Sequence, residues 1–184
     1  SEAADDYEES PGHGQRVADM AVSMAERYGL SAQEIESLRM AALLHDIGQI
    51  DNCPYIQEGR TLTQEERFDL EKHTLLGYQM IKQMGGEYEQ VAKWIRWHHE
   101  RWDGTGYPDR LSGEHIPLPV RILTVTDAYD ALCHDRPYRL ALSPERALDE
   151  LKRHAGLTFD PNIVQLIGTI GDGGEVMHAG LEID

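Results

Sequence analysis

The stretch Leu38-Arg39-Met40-Ala41-Ala42-Leu43-Leu44-His45-Asp46-Ile47-Gly48-Gln49 decides the fold. Leu38, Ala41, Ala42 and His45 fall at i, i+3, i+4 and i+7, one face of a helix. An imidazole therefore arrives where a core residue belongs, and a carboxylate follows it. A buried carboxylate is costly unless a cation or strong donors meet it. A metal ion supplies the cation, and neutral imidazole is a common metal ligand. On its own the dipeptide leaves two readings open, a core histidine beside a helix-end carboxylate or a pair of ligands.

The same period extends outward in both directions. Upstream, Val17, Met20, Ala21, Met24 and Tyr28 mark a helix that begins near His13 and is stopped by Gly29. Ser31 with Glu34 is a capping-box signature for the helix that runs to about Asp46. Residues 47–62, with Pro54 and Gly59, read as an irregular connection. Thr63 with Glu66 opens a long helix to about Met84, closed by Gly85-Gly86. On it, His73, Leu76, Met80 and Met84 are expected on one inward face. A helix from about Tyr88 to His99 carries Val91, Trp94, Ile95 and His98 on one stripe. Asp103-Gly104-Thr105-Gly106-Tyr107-Pro108 reads as a loop. Pro117 and Pro119 precede a helix with Ile122, Val125, Tyr129 and Leu132 inward, and Asp127 and Asp130 three apart on a neighbouring face. Ser143-Pro144 and Asp160-Pro161 start the last two helices. With no strand alternation and no repeat, the expectation is an all-α, single-domain bundle of about seven helices. An acidic leader over 1–12, a domain over 13–170 and a polar tail over 171–184 complete the division.

Composition narrows the chemistry. Seventeen basic against 33 acidic residues give a net charge of −16. An extended nucleic-acid or anionic-membrane surface would need a basic face, so a nucleic-acid polymer is not an expected partner. A phosphate-bearing substrate would be met locally, by metal ions or a few arginines. Cys53 and Cys133 make no disulfide framework and suit a reducing, cytoplasmic compartment. No apolar run reaches the ~20 residues that span a bilayer, and no signal-peptide pattern opens the chain, so direct membrane insertion is not expected. The abrupt acidic start suggests a module of a longer chain, fused to a sensory or receiver domain. Oligomeric state is not legible.

His45, Asp46, His73, His98 and Asp127 all lie in or beside segments that otherwise bury apolar residues, with His99 and His13 close by. Several polar groups facing one core from different helices would be left unsatisfied unless something central binds them. A metal cluster answers this. Mixed imidazole and carboxylate donors suit iron, manganese, nickel or zinc better than calcium. The absence of cysteine from the set argues against a structural zinc knuckle.

His45-Asp46, the run His98-His99-Glu100-Arg101-Trp102-Asp103-Gly104-Thr105-Gly106-Tyr107-Pro108, and Asp127-Ala128-Tyr129-Asp130-Ala131-Leu132 through Asp135-Arg136-Pro137-Tyr138-Arg139 closely resemble the HD-GYP subgroup of the HD-domain metal phosphohydrolases. The resemblance runs from His13 to about Ile170 and includes Thr158-Phe159-Asp160-Pro161. It implies an all-α fold and a centre of two or three divalent metal ions, most often iron, with manganese or nickel as alternatives. The implied reaction is hydrolysis of the bacterial second messenger cyclic di-GMP to the linear dinucleotide pGpG or on to GMP. Carried over by motif, His45, Asp46, His73, His98, His99 and Asp127 look like metal ligands. His13 matches a histidine that holds an additional metal in trinuclear members, and Glu9 sits where such members place a glutamate.

A pair of metal ions can polarise a phosphodiester and clamp an in-line displacement. Asp46 is the expected bridging ligand, since its two oxygens can each serve one metal. Asp130 is placed to orient a ligand or the attacking water. Arg136 and Arg139 are the expected local anion clamp. Tyr107, with Gly106 in the same loop, is a candidate substrate contact that could stack on guanine or pack the loop. Gln49 departs from the resemblance, because family members commonly carry lysine there. Glutamine brings no charge and no transferable proton, and losing a general acid costs about 10²–10⁴-fold. A slow enzyme, a phosphodiesterase for another cyclic dinucleotide, and a weakly active or inactive dinucleotide-binding module therefore remain alternatives. The GYP run disfavours a general HD-type nucleotide phosphohydrolase.

Overall fold

A computed structural model describes residues 12–49, 63–135 and 139–169. Seven α-helices occupy them: α1 (His13–Arg27), α2 (Ala32–Leu44), α3 (Gln64–Lys82), α4 (Tyr88–Trp97), α5 (Leu118–Cys133), α6 (Pro144–Arg153) and α7 (Pro161–Ile167). Short 3₁₀ turns lie at Ile47–Gln49 and Gly113–His115. The described residues form no named strand; an isolated bridge joins Ala155 and Phe159. None of the described helices is long and apolar enough to cross a membrane. The all-α bundle expected from periodicity is borne out.

Local chemistry sets the helix starts. Ser31 and Thr63 both complete reciprocal capping boxes, with Glu34 and Glu66 returning to the cap N–H. Each satisfies amide donors that have no intrahelical partner, and replacing such a cap by alanine costs about 1 kcal/mol. Ser143 and Asp160 cap α6 and α7, each followed by proline at the first helical position. Gly29 at φ +71° lets the chain leave α1, as expected.

Helices α1, α2, α4 and α5 enclose the core, with α3 laid against α4. Trp94, Met24, Leu38, Ile95, Ile122 and Leu123 are its large fully buried side chains. Burying each contributes about 1.5–3 kcal/mol.

The inward face of α3 differs from expectation. Leu76, Met80 and Met84 are 37%, 44% and 59% exposed, whereas Leu70, His73, Thr74, Gly77 and Ile81 are buried. Two glycines explain the rotation. A Cβ on Gly48 would lie 2.1 Å from the His73 carbonyl oxygen, and one on Gly77 would lie 2.9 Å from Ile95 Cγ2. Without side chains, the turn after α2 and helix α4 approach the backbone of α3 along the 70/73/74/77/81 face. The aliphatic run at 76, 80 and 84 is then left on the exposed side. Of the expected stripe only His73 points inward.

Two helices also end earlier than expected. Helix α2 stops at Leu44 and α4 at Trp97. His45-Asp46 and His98-His99 therefore occupy the turns that follow.

Candidate metal centre

His13 opens α1, His45 and Asp46 follow α2, His73 lies mid-α3, His98 and His99 follow α4, and Asp127 lies on α5. The fold brings these seven residues from five segments together. Their donor atoms form two clusters, Asp46/His73/His98/His99 and His13/His45/Asp127, each with all atoms within 4.8 Å of one another. The imidazoles form a continuous arc. Ring centroids are 5.3 Å apart for His13–His45, 5.2 Å for His45–His98, 5.2 Å for His73–His98 and 4.1 Å for His98–His99.

Asp46 lies between the clusters. Its Oδ2 is 3.1 Å from His45 Nε2, while its Oδ1 is 3.6 Å from His73 Nε2 and 3.8 Å from His98 Nε2. The two oxygens thus face different clusters, which is what a bridging carboxylate requires.

Hydrogen bonds orient four of the five rings. Nδ1–H donates to the carbonyl three residues earlier in His45 (to Ala42, 2.8 Å), His73 (to Leu70, 2.7 Å) and His98 (to Ile95, 2.6 Å). A carbonyl can only accept, so the Nδ1 proton is fixed and Nε2 turns to the centre. His13 is held differently, through Nδ1 on Asp130 Oδ2 at 2.7 Å, with its Nε2 3.1 Å from Asp127 Oδ1.

The clusters have opposite electrostatics. Burial, with His45 and His73 nearby, pushes His98 down to about 3. Burial also lowers His73, and burial with His98 and His73 holds His99 well below the usual range. Burial lowers His45 too, but Asp46 and Asp127 outweigh it and lift the ring to about 10. In His13, hydrogen bonds to Asp127 and Asp130 overcome burial and raise it to about 9. Asp46 is driven up by burial but is held well below the usual carboxylate range by His45, then His98 and His73. Asp127 is likewise lowered against burial by His13 and His45.

The residues fit metal ions on the structure's own terms. His45 Nε2 and Asp46 Oδ1 are buried and make no hydrogen bond. His73 Nε2 and His98 Nε2 stand 3.3 Å apart while each ring's Nδ1–H already donates to a carbonyl. Two neutral imidazoles would then meet lone pair to lone pair, and a cation between them converts that repulsion into coordination.

A family model described as an HD domain matches residues 1–163. The chain belongs to the HD-domain family. Among its curated relatives, this HD-domain chain is 39% identical to the cyclic di-GMP phosphodiesterase response regulator RpfG of Xanthomonas campestris, over 83% of this chain and 41% of that protein. It is 35% identical to 3′3′-cGAMP-specific phosphodiesterase 2 of Vibrio cholerae, over 86% of this chain and 31% of that protein. The chain therefore spans less than half the length of these relatives. Solved structures share the fold. A cyclic GMP-AMP-specific phosphodiesterase of V. cholerae matches with TM-score 0.72 at 22% identity, over 88% of this chain and 44% of that one. An HD-GYP-type protein of Bdellovibrio bacteriovorus matches with TM-score 0.69 at 22% identity, over 86% and 51%. The HD-GYP resemblance read from the sequence is thus borne out.

Around the HD-domain centre, the other expected residues divide. Tyr107 stacks on His99, centroids 4.9 Å apart and planes 23° apart. Gly106 is not an open substrate contact. It is buried, and a Cβ there would lie 2.4 Å from Arg101 N and 2.6 Å from the His99 carbonyl, so its role is close packing. Arg139 is not a free anion clamp either. Its guanidinium donates to the carbonyls of Ala131, Leu132 and Leu140. The last carbonyls of α5 lack intrahelical partners, and Arg139 satisfies them. Asp130 touches a candidate ligand, His13. Gln49 closes the turn by donating its backbone N–H to Asp46 O at 2.9 Å, and its side-chain Nε2 is buried with no hydrogen bond. Glu9 and Arg136 lie outside the described residues.

Two contributors carry no role in the sequence reading. Buried Glu100 accepts from the backbone N–H groups of Asp109 (2.7 Å) and Leu111 (3.0 Å), pinning the loop that carries Tyr107. Arg16 forks onto Asp130 at 2.7 and 2.8 Å. The i, i+3 spacing of His13 and Arg16 was a usable signal. Glu100 had none beyond its place inside the motif.

Proposed function

We propose that this HD-domain chain is a metal-dependent phosphodiesterase that hydrolyses cyclic di-GMP in the bacterial cytoplasm, releasing pGpG or GMP. The observation that carries this reading is Asp46, whose two oxygens face separate clusters of imidazole and carboxylate donors. RpfG of X. campestris, a cyclic di-GMP phosphodiesterase 39% identical to this chain, supports this substrate.

In this reading His73, His98, His99 and Asp46 would hold one metal ion, and His13, His45 and Asp127 would hold a second. Iron suits the donor set, as do manganese and nickel, and Glu9 would decide whether a third ion binds. When bound, the ions supply a nucleophile at neutral pH and neutralise charge developing on the phosphate. The protein's own groups do the rest. Nδ1–H bonds fix the rings of His13, His45, His73 and His98, and Tyr107 braces His99 by stacking on it. Gln49 Nε2–H, a buried donor that costs about 1–3 kcal/mol while unsatisfied, would meet a phosphate oxygen. With Arg139 committed to α5, Arg136 is the remaining candidate clamp. A sensory or receiver domain would occupy further length of a longer chain, as the response-regulator relative suggests.

Incubating iron- or manganese-loaded protein with cyclic di-GMP under anaerobic and aerobic conditions, and separating the products, tests the reading. Linear pGpG or GMP is expected; no turnover in either condition would overturn it. Gln49→Lys is expected to raise the rate about tenfold or more, toward that of a positioned general acid.

A second reading is a phosphodiesterase for 3′3′-cGAMP, favoured by relatives named for that specificity at 35% and 34% identity. A competition assay with both dinucleotides decides between them by the ratio of kcat/KM.

A further inference from the structure

We propose that Arg16 is a positioning residue: through Asp130 it holds His13 with Nε2 turned toward Asp127, and so sets the metal affinity of the His13/His45/Asp127 cluster alone. This role rests on the metal-binding reading proposed above.

The geometry is a three-membered relay. Arg16 Nε donates to Asp130 Oδ1 at 2.7 Å and Nη2 to Oδ2 at 2.8 Å, a bidentate fork. Oδ2 also accepts from His13 Nδ1 at 2.7 Å. The carboxylate plane is therefore fixed by two points, and the imidazole must meet it where Oδ2 lies. An anionic acceptor on Nδ1 keeps the proton there and presents the Nε2 lone pair to the cluster. His134 adds only a weaker approach, Nδ1 at 3.3 Å from Oδ1, with its hydrogen bond going to the Asp130 backbone carbonyl at 2.9 Å.

Location separates this role from general packing. Asp130 is 2% exposed while Arg16 is 31% exposed, so the guanidinium closes the relay from the solvent side. Arg16, Tyr129, Asp130, Cys133 and His134 line a cavity of about 330 Å³ there. In the other cluster, two candidate ligands take their orientation elsewhere. His73 and His98 are oriented by carbonyls of their own helices. Removing an outer partner of a metal-bound histidine typically weakens metal binding about 10–100-fold.

Metal-free protein titrated with Mn²⁺ in a calorimeter tests the proposal without any turnover. Wild type is expected to show two classes of site. Arg16→Met should weaken one class about 10–100-fold, the same class that His13→Ala removes, and leave the class that His73→Ala removes unchanged. Arg16→Lys should recover part of the loss. Because the cavity adjoins the guanidinium, millimolar methylguanidinium should restore tight binding to Arg16→Ala. An unchanged Mn²⁺ titration overturns the proposal. So does equal weakening of both classes with a lowered melting temperature, which would make Arg16 a packing residue; Arg16→Lys then serves as the folded variant that confirms it. Failure to hydrolyse cyclic di-GMP would overturn the function proposed above but leave these titrations readable.

Discussion

His45, His73 and His98 take their orientation from a carbonyl three residues back on their own helices, whereas His13 takes its orientation from a carboxylate 117 residues away. The first arrangement arrives with helix formation, because residues three apart are neighbours on the helix surface. The second exists only when α1 has packed on α5. In one cluster His73 and His98 are locally set, and burial keeps all three imidazoles neutral. The other joins a locally set ring to one held by an Arg16–Asp130 relay, and both its rings are raised by carboxylates. The same residue type serves both, but the means of control differ: backbone geometry in one, replaceable side chains in the other.

The largest expected effect erases the comparison. Asp46→Asn should lose both metal classes, since each oxygen serves one cluster, and turnover should fall at least about 10³-fold, the scale of removing a key charge-stabilising group. Elemental analysis alongside product chromatography checks this. An active, metal-replete mutant would contradict the bridging role.

Proton counting sharpens the contrast. At pH 8, His13 and His45 carry protons in the metal-free protein, being raised to about 9 and about 10, while His98, lowered to about 3, carries none on Nε2. Metal uptake must displace those protons. Titrations in buffers of different ionisation enthalpy should show proton release for the class lost in His13→Ala and essentially none for the class lost in His73→Ala.

A stability profile follows with the opposite dependence on metal. Folded values of about 9 and about 10 lie above the unfolded imidazole value of about 6.5. Their contribution is complete below about pH 6.5 and is lost as pH rises through 9 to 10. Denaturant melts of metal-free protein should weaken across pH 8–10. Metal-loaded protein should not, because the ion replaces the protons. A metal-free protein equally stable at pH 7 and 10 would remove the electrostatic half of the contrast.

The smallest effect separates packing from ligation. Gly48→Ala forces a Cβ toward the His73 carbonyl and should cost about 1–3 kcal/mol, as overpacking does. It should weaken the His73 cluster and spare the His13 cluster in the Mn²⁺ titration. Equal losses would mean that the two clusters are mechanically one unit.

Helix type, number and most starts are legible in the sequence, because capping boxes at Ser31 and Thr63 and the 3.6-residue period are local properties of the chain. So are the inward imidazoles, since His45, His73 and His98 recur on otherwise apolar faces and are buried. The α3 face at Leu76, Met80 and Met84 was misread because periodicity reports which residues share a side, not which side meets a neighbour. Gly48 and Gly77 choose that side by admitting backbone, and glycine has no hydropathy with which to announce it. Arg139 and Gly106 read as substrate contacts on motif alone, yet a helix terminus and a tight turn engage them.

By itself, then, the sequence determined that this protein is a helical HD-domain bundle with imidazoles and carboxylates turned inward, because helix propensity, capping and periodicity act over a few residues. Only the tertiary structure decided that those groups divide into two clusters about Asp46, and that His13 answers to Arg16 through Asp130. Such pairings depend on which helix faces cross in space, and distance along the chain carries no information about that.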